Sequence, residues 1–215
     1  WNMSYNISVA THTPEERWDW VRKGIELLRD EGIPKNPNAV RLYRELGWIF
    51  FHKVGQYSDD MHWYYKRQLA EEWHGVMGAQ PQAMAEQEVI DRVRRIAEAP
   101  EYLEDLIAEE PAIGELVSRL RDIGFKADAE LLRRMNLVIT FMGSEEAQLI
   151  GLGDREFASE RDRQLLTLYR APDYAEPFDK LLAHLRKRTL IDRYHMDPEF
   201  MLKIMLPESE IGRAS

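Results

Sequence analysis

Six histidines and an excess of carboxylates are the side chains of this 215-residue chain that could move protons or hold a metal. His52, Asp59, Asp60 and His62 bracket a short turn between two helical patterns, and antiparallel helices there would gather nitrogen and oxygen donors suited to zinc or manganese. No HExxH pair or compact ligand triplet occurs, and aspartates beside a turn also serve as helix caps. The sequence therefore predicts no metal, no cofactor and no catalytic residue; a metal-dependent hydrolase built on those four is the alternative. His184, Asp192, His195 and Asp197 form a second set around the basic run Arg186-Lys187-Arg188. One straight helix would hold His184 and His195 roughly 16 Å apart, too far to share an ion. Gly151-Leu152-Gly153 has neither a strand before it nor Lys-Ser/Thr after it, so it is no phosphate loop, and no Gly-x-Ser-x-Gly is present. The carboxylates between Glu98 and Glu115 alternate with Arg and Leu at helical spacing and read as a solvated face. The basic stretch Lys180–Arg193 could meet RNA or an acidic partner, or more simply the protein's own acidic middle.

Charge and composition narrow the classes further. The net charge of −9 resides in residues 79–160, where 18 acidic side chains face 9 basic ones, a field that repels phosphate backbones. Nucleic acid is not an expected partner. No apolar run approaches the ~18 residues a membrane span needs, and without cysteine there is no disulfide or thiolate chemistry. Trp1 already sits inside a helical pattern, WNMSYNISV, which predicts an upstream segment where a membrane anchor or export signal could lie.

The elements that must position these residues read as helices throughout. Thr13-Pro14-Glu15-Glu16 has the cap, the N1 proline and the acid of a capping box, and Trp18, Val21, Ile25 and Leu28 follow as an apolar stripe ended by Gly32 and Pro34. The next helix places Leu42, Leu46, Ile49 and Phe50 on one side; Gly55–Ser58 turns it round, and Ser58 caps a helix with the inner stripe Met61, Tyr65 and Leu69. Shorter amphipathic helices follow, marked by Ile90/Val93/Ala97, Leu103/Leu106/Ile107 and Leu116/Val117/Leu120/Ile123. The apolar run Leu137–Met142 reads as the end of a helix buried nearly all round, because Leu131, Leu132 and Met135 precede it at helical spacing. Helices around Leu165–Tyr169, Phe178–Tyr194 and after Asp197-Pro198 complete an all-α chain. Its division is expected at 1–78 and 82–215, with a further boundary at 143–154.

Sliding the chain on itself by 47 residues pairs Trp1 with Trp48, Met3 with Phe50 and Ile7 with Val54; a slide of 45 pairs Thr13 with Ser58, Trp18 with Trp63 and Trp20 with Tyr65. Two helix pairs share one plan, as in stacked repeats where each pair covers its neighbour's apolar face. Tyr43, Leu46-Gly47 and Phe50, with Pro37-Asn38 before them, stand at the spacing of a tetratricopeptide (TPR) first helix, so residues 1–76 resemble that family. Arg17 and Met61 depart from it where the family has a small alanine. The whole chain is similar to bacterial TPR-like proteins of uncharacterised function, some of them membrane-anchored. The resemblance implies antiparallel helical hairpins whose first helices line a concave groove with the side opposite their core stripe. At 100° per residue that side carries Arg41, Arg44, Trp48, Phe51 and His52. Arg41 and Arg44 could take a carboxylate while Trp48 and Phe51 anchor a peptide; otherwise the two rings fill the gap beneath later helices. The expectation is a non-catalytic protein-protein interaction scaffold with a protein or peptide partner. A subunit of a membrane-associated assembly is a further alternative.

Overall fold

The computed structural model describes residues 1–78, 85–142 and 159–206, and every regular element among them is helical. The fold class is all-α. The chain forms two compact units, Trp1–Glu72 and Trp73–Ser215, so the division falls inside a helix. The expected boundary at 143–154 lies outside the described residues, as does the Gly151-Leu152-Gly153 stretch.

In the first unit, α1 comprises Met3–Ile7 and Ser8–Ala10, α2 Pro14–Glu26 with Leu27–Gly32 and Ile33–Lys35, and α3 Val40–Ile49 with Phe50–Gly55; α4, His62–Met77, begins here. Met3–Ile7, Leu27–Gly32 and Phe50–Gly55 are π turns, each closed by an amide that reaches back five residues. Two of these turns start at Met3 and Phe50, the same 47-residue offset that aligns Trp1 with Trp48.

The local signals are partly reassigned. Thr13 caps α2 by accepting the Glu16 amide at 3.2 Å, with Pro14 at N1. Gly32 and Pro34 do not end α2, because the π turn lets the Ile33 amide reach Leu28 and the helix resumes through Lys35. Ser58 does not cap α4: its hydroxyl donates to the His52 carbonyl, and Asp59 instead accepts the Met61 amide at 3.0 Å. Trp18, Val21, Ile25, Ile49, Val54 and Tyr65 form the core of this unit, with Trp18 stacked on Tyr65 at 5.7 Å. Each such side chain contributes roughly 1.5–3 kcal/mol by leaving water. Helices α1 and α2 approach closely because Ser4, Ser8 and Gly24 are small; a methyl on Gly24 would lie 2.1 Å from Ser4 Oγ.

The second unit holds the end of α4, then α5 (Glu86–Glu98), α6 (Leu103–Glu109), α7 (Pro111–Asp122), α8 (Ala129–Met142), α9 (Glu160–Arg170), a 3-10 turn at Pro172–Tyr174, α10 (Ala175–Tyr194) and α11 (Pro198–Met205). Its main core joins Leu106, Ile113, Leu116, Leu120, Leu131, Leu132 and Met135 to Leu165, Phe178, Leu181 and Leu185. The run after Leu131 is helical, as its spacing predicts, although Arg133 stays exposed. Helix α10 organises this unit. Its apolar side enters the core, and its basic run satisfies helix ends whose last carbonyls have no partner within their own helix. Arg186 Nε donates to the Val76 carbonyl at 3.3 Å, Lys187 Nζ to those of Ala97 and Ala99 at 2.8 Å each, and His184 Nδ1 to that of Pro100 at 2.8 Å. Burial, with Arg92 nearby, depresses the Arg186 guanidinium to about 10. Lys180 pairs with Glu110 and Glu176, and Arg188 with Glu101 and Asp192. The basic stretch is thus spent on the protein's own acidic middle and its helix ends.

Candidate functional site

Helix α3 carries the face that the sequence singles out. Ile49 is fully buried, and Leu46 and Phe50 pack against the core of the first unit, which fixes the rotation of the helix. The opposite side is therefore turned outward. Arg41 and Arg44 extend from its first turns with side chains 83% and 73% exposed, and Trp48 and Phe51 follow at 47% and 53%. Glu45 lies 3.8 Å from Arg41 and 3.4 Å from Arg44, so one carboxylate serves two guanidinium groups and leaves a net positive charge.

The rings on this face touch. Trp48 packs on Phe51 at 5.7 Å and stacks on His52 at 5.5 Å; His52 meets Tyr5 of α1 at 5.6 Å, and Tyr5 stacks on Trp1 at 4.6 Å. Five rings form one strip across two helices, and Trp1 is half exposed at its far end. Sequence reasoning missed Trp1 and Tyr5 as members. The signals were available: the two rings are four residues apart, hence neighbours on a helix, and Trp1 is the residue aligned with Trp48. The aligned helices nevertheless bury different positions, since Ser4 is buried where its counterpart Phe51 is exposed.

Beneath the strip lies a buried polar group. Lys53 Nζ is 2.6 Å from Asp59 Oδ2, with both side chains at most 5% exposed, and 4.9 Å from the centre of the Tyr5 ring. Burial alone would raise the Asp59 pKa, but the hydrogen bonds from Lys53 and the Met61 amide, with the lysine's charge, hold it below the usual carboxylate value. Burial, reinforced by Glu45 and Asp59, pushes the Tyr5 hydroxyl up to about 12. The same two causes, burial and then Asp59, raise Tyr65. Tyr5 Oη and His52 Nδ1 are buried without a hydrogen-bond partner.

The candidate metal donors are not brought together. Asp59 is bound to Lys53, His52 lies between Tyr5 and Trp48, and His62 sits edge-on to Tyr57 at 5.0 Å with Lys66 Nζ 3.4 Å from its Nδ1. Among the described residues, no group of three or more His, Asp or Glu is placed to hold a metal ion. In the second set, His184 is buried on the Pro100 carbonyl, Asp192 pairs with Arg188, His195 ends α10 with φ 52°, and Asp197 caps α11. Nor is any helix among the described residues long and apolar enough to cross a membrane. No protein-family model, curated protein or solved structure matches this chain.

Proposed function

We propose that this protein is a non-catalytic protein-protein interaction scaffold that binds a peptide segment of its partner along Arg41, Arg44, Trp48, Phe51 and His52, with Tyr5 and Trp1 extending the face. A TPR-like pairing of residues 1–76 is the plan inferred for it, supported by π turns at the shared 47-residue offset. The observation that carries the functional reading is the half-exposed Trp48–Phe51 pair within a continuous ring strip, beside two guanidinium groups that share one carboxylate. Exposed contiguous aromatic surface is costly in water, and Trp and Arg are the side chains that dominate binding hot spots.

A displayed peptide library panned against the wild-type protein tests it. Enriched peptides should lose at least ~2 kcal/mol of affinity, about 30-fold, for Trp48→Ala, while the unfolding midpoint of the variant stays within a few degrees. A steep loss of stability would make Trp48 a packing residue, and an absence of enrichment would remove the scaffold reading.

A further inference from the structure

A cleft of about 520 Å³ opens in the second unit between the turn after α7, the first turns of α8, and the start of α9. Its size falls within the ~300–1,000 Å³ of small-molecule sites. Its walls are fixed. Arg134 of α8 grips Asp162 of α9 through two parallel hydrogen bonds, one of them 2.6 Å, and Asp162 closes a capping box with Ser159. Arg161 donates to the carbonyls of Ile123 and Gly124 and lies over the Phe125 ring at 4.8 Å, tying α9 to the α7–α8 turn. Gly124 permits that turn with φ +83°.

The ionisable side chains lining the cleft are four cations, Lys126, Arg133, Arg134 and Arg161, against three carboxylates, Asp128, Glu130 and Asp162, a net of +1. Arg134 is neutralised by Asp162, and Asp128 is occupied in capping α8 through the amides of Glu130 and Leu131. Arg161 spends its donors on neutral carbonyls, and among the described residues no carboxylate pairs with it. Lys126 and Arg133 line the same cleft and make no ion pair among the described residues. Glu130 is the remaining acid there. Lys126, Arg133 and Arg161 make no ion pair among the described residues, and the cleft is positive although residues 79–160, which supply most of its lining, carry two carboxylates for each base.

We infer that this cleft is a binding site for a small, multiply charged oxyanion, a phosphate- or carboxylate-bearing molecule, held by Lys126, Arg133 and Arg161. Arginine gives planar, forked donors and lysine a mobile point charge, a combination suited to an anion with several oxygens. The Phe125 ring supplies an apolar wall beside the charges. The site is independent of the peptide face on α3.

The test is calorimetric titration of the protein with pyrophosphate and, separately, with citrate. Wild type should bind at least one of them, more weakly as salt rises from about 0.02 to about 0.15 M because screening shortens the reach of the cations. Lys126→Gln with Arg133→Gln should weaken binding at least tenfold. Arg121→Gln, an exposed cation outside the cleft, should leave it unchanged. Binding of pyrophosphate alone assigns the phosphate class, and binding of citrate alone the carboxylate class. Acetylation of Lys126 in the unaltered protein, read by peptide mass spectrometry, should be slowed by the anion that binds, a readout that needs no variant to fold. Absence of binding to both anions, equal weakening by Arg121→Gln, or acetylation of Lys126 unaffected by the bound anion overturns the site.

Discussion

Replacing Lys53 by Ala strips the counter-charge from Asp59 at a place where water does not reach. The wild-type pair is 2.6 Å apart with both side chains at most 5% exposed, so the lone carboxylate keeps the neutral Met61 amide as a hydrogen-bond donor but loses its counter-charge. Breaking one side of a buried pair costs about 3–5 kcal/mol, and loss of the ammonium over Tyr5 adds about 0.5–2 kcal/mol. Against a total of ~5–15 kcal/mol for a typical domain, Lys53→Ala should bring the first unit close to unfolding at neutral pH. The pH dependence should change sign. In the wild type the folded pKa of Asp59 lies below its ordinary value, so its contribution is complete above the unfolded carboxylate range near ~4 and is lost as pH falls through the folded value. Without Lys53, burial dominates, the folded pKa rises, and acidification should instead recover stability. The double variant Lys53→Met/Asp59→Asn removes both charges while keeping an oxygen for the Met61 amide, and should be more stable than Lys53→Ala. Urea unfolding monitored by tryptophan fluorescence between pH 4 and 7 measures all three proteins. A loss below ~1 kcal/mol for Lys53→Ala, or a double variant no better than the single one, would refute the buried-pair account.

Tyr5→Phe removes a buried hydroxyl that has no partner and should leave stability unchanged or raise it by up to ~1–3 kcal/mol. It should also remove the part of the alkaline destabilisation that sets in above pH ~10, where unfolded Tyr5 ionises before the folded residue does at about 12; urea midpoints from pH 8 to 11 test both. Gly124→Ala forces a left-handed φ on a side chain and places its methyl 2.7 Å from Arg161, so thermal unfolding should show a loss of at least ~1–2 kcal/mol. Lys187→Met retains length but leaves the Ala97 and Ala99 carbonyls without the donor that serves them, and should cost about 1–3 kcal/mol in chemical denaturation.

Helix identity was readable from spacing because an amphipathic helix must bury residues three and four apart. Trp18/Val21/Ile25, Ile90/Val93/Ala97 and Leu116/Leu120 are buried as that rule requires. The outward face of α3 followed from the same rule, since placing Ile49 inside leaves Arg41, Arg44, Trp48 and Phe51 outside. Helix ends were less legible. Gly32 and Pro34 are helix breakers in an α register, but a π turn shifts the hydrogen bonds past them, and nothing local in those residues announces the shift. Ser58 and Asp59 were equally suitable caps by type; the buried ammonium of Lys53, six residues before Asp59 and across the turn from it, holds the Asp59 carboxylate where it accepts the Met61 amide, and that depends on burial rather than on residue type.

Sequence alone determined that the chain is helical and which stripes it buries, because these depend on residue type and on a period of 3.6. Tertiary structure decided how charged side chains are spent. Within the run Arg186-Lys187-Arg188, Arg186 and Lys187 turn inward to serve helix ends at Val76, Ala97 and Ala99 while Arg188 pairs with Glu101 and Asp192, whereas Lys126, Arg133 and Arg161 line one cleft. A residue's charge is written in the sequence, but its partner is set by which distant backbone or side chain the fold brings within hydrogen-bond reach.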